Sequence, residues 1–191
     1  SGKRLAVASP SAGLTIADNI TIEFWAYSPD GGNERSAISR RATNGGERNC
    51  WAILVSASTL TAKFYDTAGT AYTLTMANSA LYGSAARWNH WRIWYQAGTA
   101  MGALLNGNPV AYSVTVGADL ETASLPGIQI GGEVSTALTS TFSGRLHDIH
   151  IRAEVDTDPT TASPNLRIVR FTDREYIAFE EDIQEDIAGA T

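Results

Sequence analysis

Hydrophobic and polar residues alternate over short stretches along most of this 191-residue chain. The clearest stretch is Ile20–Tyr27, where Ile20, Ile22, Phe24 and Ala26 fall on one side and the residues between them, which include Thr, Glu and Trp, fall on the other. Successive side chains of a β-strand point to opposite faces of a sheet. This period of two therefore predicts a strand that buries one face in a core.

Further short segments have strand character and are separated by turns rich in Gly, Ser, Thr and Asp. They are Lys3–Ala8, Ser36–Arg41, Trp51–Ser56, Leu60–Tyr65, Ala71–Met76, Asn89–Tyr95, Met101–Leu105, Val110–Val116, Gly127–Ile130 and Leu146–Arg152. No helical period stands out before residue 155. Many short strands joined by turns predict an all-β sandwich or barrel.

The strongest turn signal in the chain is Asn106-Gly107, which lies between two apolar segments. A two-residue hairpin of type I′ needs a positive φ at both central residues, and Asn and Gly adopt that conformation most readily. We therefore expect a tight hairpin here, with Gly107 at positive φ.

The C-terminal part of the chain has a different pattern. A polar connector that contains prolines begins at Asp156, and Thr172–Glu175 has the form of a helix capping box. An apolar stripe with helical spacing follows, formed by Tyr176, Phe179, Ile183 and Ile187. This stripe predicts a short helix that packs either on its own sandwich or, as a docking arm, on a neighbouring subunit.

Composition and charge argue against several classes of function and structure. Hydrophobic residues make up 43% of the chain, which is ample for a core, and charged residues only 18%. The net charge of −6 argues against binding to nucleic acid, which requires clustered Lys and Arg. The single cysteine, Cys50, excludes an internal disulfide. No segment approaches the roughly 20 apolar residues of a membrane span.

Seven motifs, taken in order, resemble those of laminin-G-like domains in the concanavalin A-like lectin/glucanase superfamily. They are the short strand Leu5–Ala8, the strand Asp18–Ala26, the strand Ala37–Arg40, the aromatic strand Arg87–Tyr95, the hairpin Leu105–Val110, the pair of glycines in Ile130–Gly132 and the closing strand Phe142–Ile151. The resemblance implies a jelly-roll sandwich of two antiparallel sheets. We expect this sandwich to span residues 1–155, with residues 156–191 as a connector and C-terminal segment.

The resemblance also raises the question of catalysis, because glucanases of this superfamily carry paired carboxylates on one strand. Glu180, Asp182 and Glu185 match one form of that spacing. They lie on a segment with helical period near the end of the chain, where little sequence is left to build a groove around them. An acidic, solvated helix face is the better interpretation, and we predict that the chain is not an enzyme and has no catalytic residues.

Metal binding is weakly indicated. His147 and His150 are three residues apart, so a regular strand would place them on opposite faces, and the sequence predicts no histidine metal site. Laminin-G-like domains often hold a Ca²⁺ ion at the sandwich rim. The oxygen ligands available for it here would come from Asp18, Asn19, Asp66 and Asp119, which form no dense acidic loop. We therefore expect no cofactor, with Ca²⁺ as the open alternative.

Aromatic side chains are the remaining candidates for binding. In the strand Asn89–Tyr95, Trp91 shares a face with apolar residues and is assigned to the core. Trp94, Arg92 and His90 share the more polar face and are the predicted ligand-binding residues. Trp94 is expected to be either an exposed platform or part of a buried interface.

Two functions follow from these patterns. The first is a structural or interaction module, such as a decoration, head-fibre or tail protein of a phage virion, with other protein subunits as partners in an oligomer or larger assembly. The second is a glycan-binding lectin module of a secreted or cell-surface protein. The two overlap in a lectin on a virion surface, and the expected location is a virion surface or the extracellular space.

Overall fold

The computed structural model describes residues 5–7, 16–27, 35–41, 49–56, 59–77, 88–123, 125, 127–132, 142 and 144–157. The predicted C-terminal helix and its apolar stripe lie outside these residues. The described residues contain eleven strands and no helix, which confirms the all-β prediction. The strands are β1 Leu5–Val7, β2 Asn19–Tyr27, β3 Arg35–Arg40, β4 Trp51–Val55, β5 Thr59–Tyr65, β6 Ala71–Ala77, β7 Asn89–Gln96, β8 Ala100–Leu105, β9 Asn108–Ser113, β10 Ile128–Ile130 and β11 Arg145–Arg152.

The strands form two antiparallel sheets. The six-stranded sheet has the order β1-β10-β3-β4-β5-β6, and the five-stranded sheet has the order β11-β2-β7-β8-β9. Strands distant in sequence are neighbours in both sheets, as in the predicted jelly-roll sandwich. Within the described ranges, no helix has the length and apolar character needed to cross a lipid bilayer.

The core lies between the two sheets and is built by alternate residues of their strands. In β2 the residues Ile20, Ile22 and Phe24 are fully buried, as the alternation predicted. The rings of Phe64 on β5 and Tyr95 on β7 stack across the core, with their centroids 4.9 Å apart. Full burial of one large apolar side chain stabilises a fold by about 1.5–3 kcal/mol, so these inward-facing residues supply the main driving force for folding.

The predicted hairpin is confirmed. Asn106 has φ 50° and Gly107 has φ 81°, and the two residues join β8 directly to β9, with Leu105 paired to Asn108. The predicted boundaries of β9 were wrong, because pairing resumes at Asn108 and ends at Ser113 instead of running from 110 to 116. The tight turn leaves no loop between the strands, and this moves the whole strand toward the N-terminus.

Candidate functional site

The face of the five-stranded sheet that points away from the core is here called the outer face. Cross-strand pairing aligns one row of side chains across it, in which Arg152 pairs with Thr21, Thr21 with Trp94, Trp94 with Gly102 and Gly102 with Tyr112. A second row runs beside the first and pairs His150 with Glu23, Glu23 with Arg92 and Arg92 with Leu104. A third pairs His147 with Trp25 and Trp25 with His90. The predicted ligand-binding residues therefore all lie on this face.

A β-bulge in β11 changes the expected placement of the two histidines. The pairing register shifts between His147 and His150, and Asp148 adopts a φ of 53°. One extra residue in a strand reverses the alternation beyond it. His147 and His150 therefore share the outer face, contrary to the expectation from their spacing, and His150 Nε2 lies 2.7 Å from Oδ1 of Asp148.

The centre of the outer face is a network of buried charges around Glu23. His90 Nε2 lies 2.8 Å from Oε1 of Glu23, and Arg92 Nη2 donates to the same oxygen at 3.1 Å. Arg152 Nη2 donates to the other oxygen, Oε2, at 2.8 Å. Glu23, His90 and Arg92 are all at most 4% exposed. The positive charges compensate the buried carboxylate, which would otherwise be costly to remove from water.

The environment of Glu23 fixes its charge. Burial by itself would raise the pKa of this carboxyl, but hydrogen bonds from His90 and Arg92 and the positive charge of Arg92 outweigh it and lower the pKa from 4.5 to about 2. Glu23 is therefore ionised at neutral pH and acts only as an acceptor. It follows that Nε2 of His90 carries the proton of their shared hydrogen bond.

A short segment after β11, residues 153–157, closes the network on one side. The Asp156 carboxylate accepts a hydrogen bond from Arg92 Nη1 on Oδ1 at 3.0 Å and one from Arg152 Nη2 on Oδ2 at 3.1 Å. The hydroxyl of Thr21 holds the backbone of this segment, since it donates to the carbonyl of Glu154 at 2.7 Å and accepts from the amide of Asp156 at 3.0 Å. The segment is thus attached to the sheet by charge and by backbone hydrogen bonds.

The other side of the outer face is aromatic. The indole of Trp94 lies over Gly102, where an added Cβ would come within 2.6 Å of Trp94 Cζ2, and its ring centroid is 6.0 Å from that of Tyr112. Trp94 is only 7% exposed, so it is not the exposed platform that was one of the two expectations. Tyr112 on the edge strand β9 is 66% exposed and is the accessible aromatic ring here.

A second group of aromatic rings lies toward the opposite end of β2. The ring centroids of Trp25 and His90 are 5.0 Å apart, and those of Tyr27 and Trp88 are 5.8 Å apart. The guanidinium of Arg145 lies 5.9 Å from the centroid of Tyr27. The indole Nε1 of Trp25 is buried and has no hydrogen-bond partner within the described part of the chain. The charged network therefore lies between two aromatic groups.

No group of three or more His, Cys, Asp or Glu side chains within the described ranges is arranged to hold a metal ion. Two of the candidate Ca²⁺ ligands already have protein partners. Asp66 accepts hydrogen bonds from the amides of Ala68 and Thr70 and from the hydroxyl of Tyr72. Asp18 accepts one from the amide of Asn19.

Sequence reasoning placed His90, Arg92 and Trp94 on the correct face but missed four residues around them. Glu23 was visible as the charge on the polar side of β2, and its pairing with Arg92 needed the register of the sheet. Tyr112 lay within the predicted strand Val110–Val116, but its position opposite Gly102 depended on the pairing register of β9. The face on which Arg152 lies could not be predicted, because the bulge in β11 changes the alternation before it. The contact of Asp156 with the sheet could not be predicted either, because this residue lies in a connector without a regular pattern.

Comparisons with known proteins bear on the fold of the chain. The laminin G family model, described as the concanavalin A-like lectin/glucanases superfamily, matches residues 1–158. No curated protein matches the chain.

The fold is similar to that of several solved structures. Among them is the CBM40 of the Ruminococcus gnavus IT-sialidase bound to α2,3-sialyllactose, with a TM-score of 0.68 and 13% identity over 84% of this chain and 90% of that one. Another is the botulinum neurotoxin serotype D binding domain, with a TM-score of 0.62 and 16% identity over 84% of this chain and 39% of that one. At such identities the likeness concerns the fold alone.

Proposed function

Because the chain belongs to the concanavalin A-like lectin/glucanases superfamily, we propose that it is a non-catalytic glycan-binding module whose site is the outer face of the five-stranded sheet. The names of the similar structures, a CBM40 bound to α2,3-sialyllactose and a toxin binding domain, favour this function over the virion role expected first from sequence. A surface or extracellular location would suit it.

The observation that carries the proposal is the combination of charged and aromatic groups on the outer face. Sugars have apolar faces that stack on aromatic rings and hydroxyl groups that pair with carboxylates and guanidinium groups. Tyr112 offers an exposed ring at one edge of the sheet, and Arg152 offers a guanidinium that is 37% exposed at the other end of the same row. The indole N–H of Trp25, which is buried and has no hydrogen-bond partner among the described residues, adds a donor that a ligand oxygen would satisfy.

The first experiment compares the whole chain with Tyr112→Ala on an array of neutral and acidic glycans, followed by titration calorimetry with the best ligand. We expect a loss of affinity of about tenfold or more for Tyr112→Ala, as for the truncation of an aromatic anchor. Tyr112→Phe keeps the ring and is the matched control, which should bind like the wild type. Unchanged binding by Tyr112→Ala would show that the ring of Tyr112 is not part of the site. If the wild-type chain binds no glycan on the array, the proposed function is wrong.

A structural role in a larger assembly, including a virion, is the second candidate. It is favoured by a stripe of exposed apolar residues on and after the edge strand β9, in which Val110 is 43%, Tyr112 66% and Val114 68% exposed. An exposed apolar edge strand is a potential surface for pairing with another chain. Light scattering of the wild type and of Val110→Ser tests this role, which predicts an oligomer that the substitution weakens.

A further inference from the structure

The position of Asp156 in the charged network is unlike that of an ordinary ion-pair partner. Its two carboxylate oxygens are divided between two guanidinium groups, Oδ1 accepting from Arg92 at 3.0 Å and Oδ2 from Arg152 at 3.1 Å. A carboxylate held on both oxygens by two arginines is a geometry that any free carboxylate group would reproduce. The residue therefore occupies a place that a ligand could also occupy.

The charge balance of the network indicates which kind of group could replace Asp156. Glu23 on β2 pairs with the same two arginines through its own two carboxylate oxygens. The two carboxylates and the two guanidinium groups therefore form a ring in which negative and positive charges alternate and balance. Removing Asp156 would leave Glu23 as the one buried carboxylate shared by both guanidinium groups, with the exposed carboxylate of Glu154 3.5 Å from Arg152. Arg92 is 1% exposed and would lose the acceptor of its Nη1 group, and a buried charge with fewer partners is unfavourable, so the gap would favour another anion.

The position of Asp156 in the chain also allows it to move away from the two arginines. It lies after the end of β11, outside every strand, so its movement breaks no ladder pairing. Its attachment includes the two ion pairs and the Thr21 hydroxyl, which binds the backbone at residues 154 and 156. The side chain of Asp156 is 15% exposed and that of Arg152 is 37% exposed, so the pair is reached from the solvent side of the sheet.

We propose that the space between Arg92 and Arg152 is a carboxylate-binding subsite, which Asp156 fills in the free protein and which the carboxylate of an acidic sugar fills when residues 153–157 are displaced. This inference rests on the proposed glycan-binding function and specifies its ligand class. A neutral sugar that displaced Asp156 would leave the two guanidinium groups with Glu23 as their one buried counter-charge. An acidic sugar would replace one carboxylate by another, so the network selects for acidic ligands.

The direct test needs no glycan. Asp156→Ala opens the subsite, and thermal melting is followed in sodium acetate and in sodium chloride at equal ionic strength. We expect the variant to melt below the wild type in chloride and to regain a large part of the difference in acetate, with little effect of acetate on the wild type. Acetamide, which is neutral and of similar shape, should not restore the melting temperature of Asp156→Ala.

Two further variants control this measurement. Glu154→Gln removes a negative charge from the same segment but leaves the gap filled, and it should show no specific response to acetate. Adding Arg152→Gln to Asp156→Ala removes half of the subsite and should abolish the response. An equal effect of acetate on Asp156→Ala and on the wild type would overturn the proposal.

A second measurement covers the case in which Asp156→Ala does not fold. Asp156→Asn keeps the size of the side chain and loses its charge, so a ligand carboxylate displaces it more readily. We expect its affinity for sialyllactose to exceed that of the wild type by about fivefold or more, with unchanged affinity for lactose. An equal change for both sugars overturns the subsite. Acetate rescue without binding of any acidic sugar overturns the sugar as occupant, whereas the proposed function fails only if the chain binds no glycan of either class.

Discussion

The inner and outer faces of the five-stranded sheet are hidden from solvent to nearly the same degree at their centre, but they have opposite chemistry. On β2 the inward-facing Phe24 is 0% exposed and its outward-facing neighbour Glu23 is 4% exposed. On β7 the same alternation gives Trp91 at 0% and Arg92 at 1%. The inner face is apolar throughout its centre, whereas the outer face combines carboxylates, guanidinium groups and an imidazole. Equal burial therefore does not mean equal contribution to stability.

The two faces differ in what their burial contributes. Apolar side chains gain free energy when they leave water. Buried ion pairs gain little overall, because the cost of desolvation offsets the attraction between the charges, and replacing such a network by apolar residues is often neutral or stabilising. Stability alone therefore gives no reason to bury Glu23, His90 and Arg92 together. The proposed binding role would give such a reason, since pre-oriented charges are what a polar ligand needs.

The largest expected effect tests the inner face. Phe24→Ala removes a fully buried ring from the core and should lower the free energy of unfolding by about 3–5 kcal/mol, measured by urea denaturation. Tyr112→Ala is the contrasting variant, because it removes a ring of similar size that is 66% exposed, and its cost should stay within about 0.5 kcal/mol. Similar costs for the two variants would contradict the assignment of the inner face as the core.

The next effect tests the outer face through pH. The pKa of Glu23 is lowered from 4.5 to about 2, so its ionised form stabilises the fold above pH 4.5, and this stabilisation is lost as the pH falls from 4.5 toward 2. A shift of this size corresponds to about 3 kcal/mol at neutral pH. Glu23→Gln should lose that stability at pH 7 and show a flatter acid dependence, which melting temperatures between pH 2 and 7 would record.

Glu154→Gln provides the control for this pH profile. Its side chain is 62% exposed and lies 3.5 Å from Arg152, so it removes one acidic group at the edge of the same network without disturbing its centre. We expect its acid transition to follow that of the wild type. If Glu23→Gln and the wild type lose stability in parallel between pH 4.5 and 2, the buried carboxylate is not the group that titrates there.

A smaller effect tests the aromatic side of the outer face. Gly102→Ala would place a Cβ 2.6 Å from Trp94 Cζ2, so the indole must move away from Gly102 and from its contact with Tyr112. Overpacking of this kind costs as much as about 3 kcal/mol. Tryptophan fluorescence and near-UV circular dichroism should change together with the melting temperature. Ala103→Gly on the opposite face of β8 should leave the Trp94 signal unchanged, and a silent Gly102→Ala would refute the close contact.

The same contrast explains how much of this protein could be predicted from its sequence. Alternation identified the strands and their buried side, because Ile20, Ile22 and Phe24 belong to a local period of two that the core enforces. The polar face of β7 was equally visible. Local patterns of this kind predict the fold class well, because the alternation of apolar and polar residues recurs along the whole length of a strand.

The outer-face network depends on information that is not local. Glu23, Arg92 and Arg152 are brought together by the register of three strands, and a single bulge at Asp148 decides which face the end of β11 presents. The sequence around Asp156 predicts the start of a polar connector, because prolines follow it. Nothing in the adjacent residues indicates that Thr21, 135 positions away, accepts its amide hydrogen bond. The hairpin at Asn106-Gly107 is the exception, because its conformation is encoded in two adjacent residues.

The hairpin therefore provides the last test, in which a local signal controls part of the outer face. Asn106 accepts a hydrogen bond from the amide of His90 and donates one to Oδ1 of Asn89, so the turn is attached to the beginning of β7. Gly107→Val would force a β-branched residue to φ 81° at a cost of about 1–2 kcal/mol. Gly107→Asn should cost less, because Asn tolerates this conformation. We expect melting temperatures in the order wild type, Gly107→Asn, Gly107→Val. Equal melting temperatures for the two variants would mean that the backbone at Gly107 is not strained by a side chain, and the type I′ geometry would then have to be abandoned.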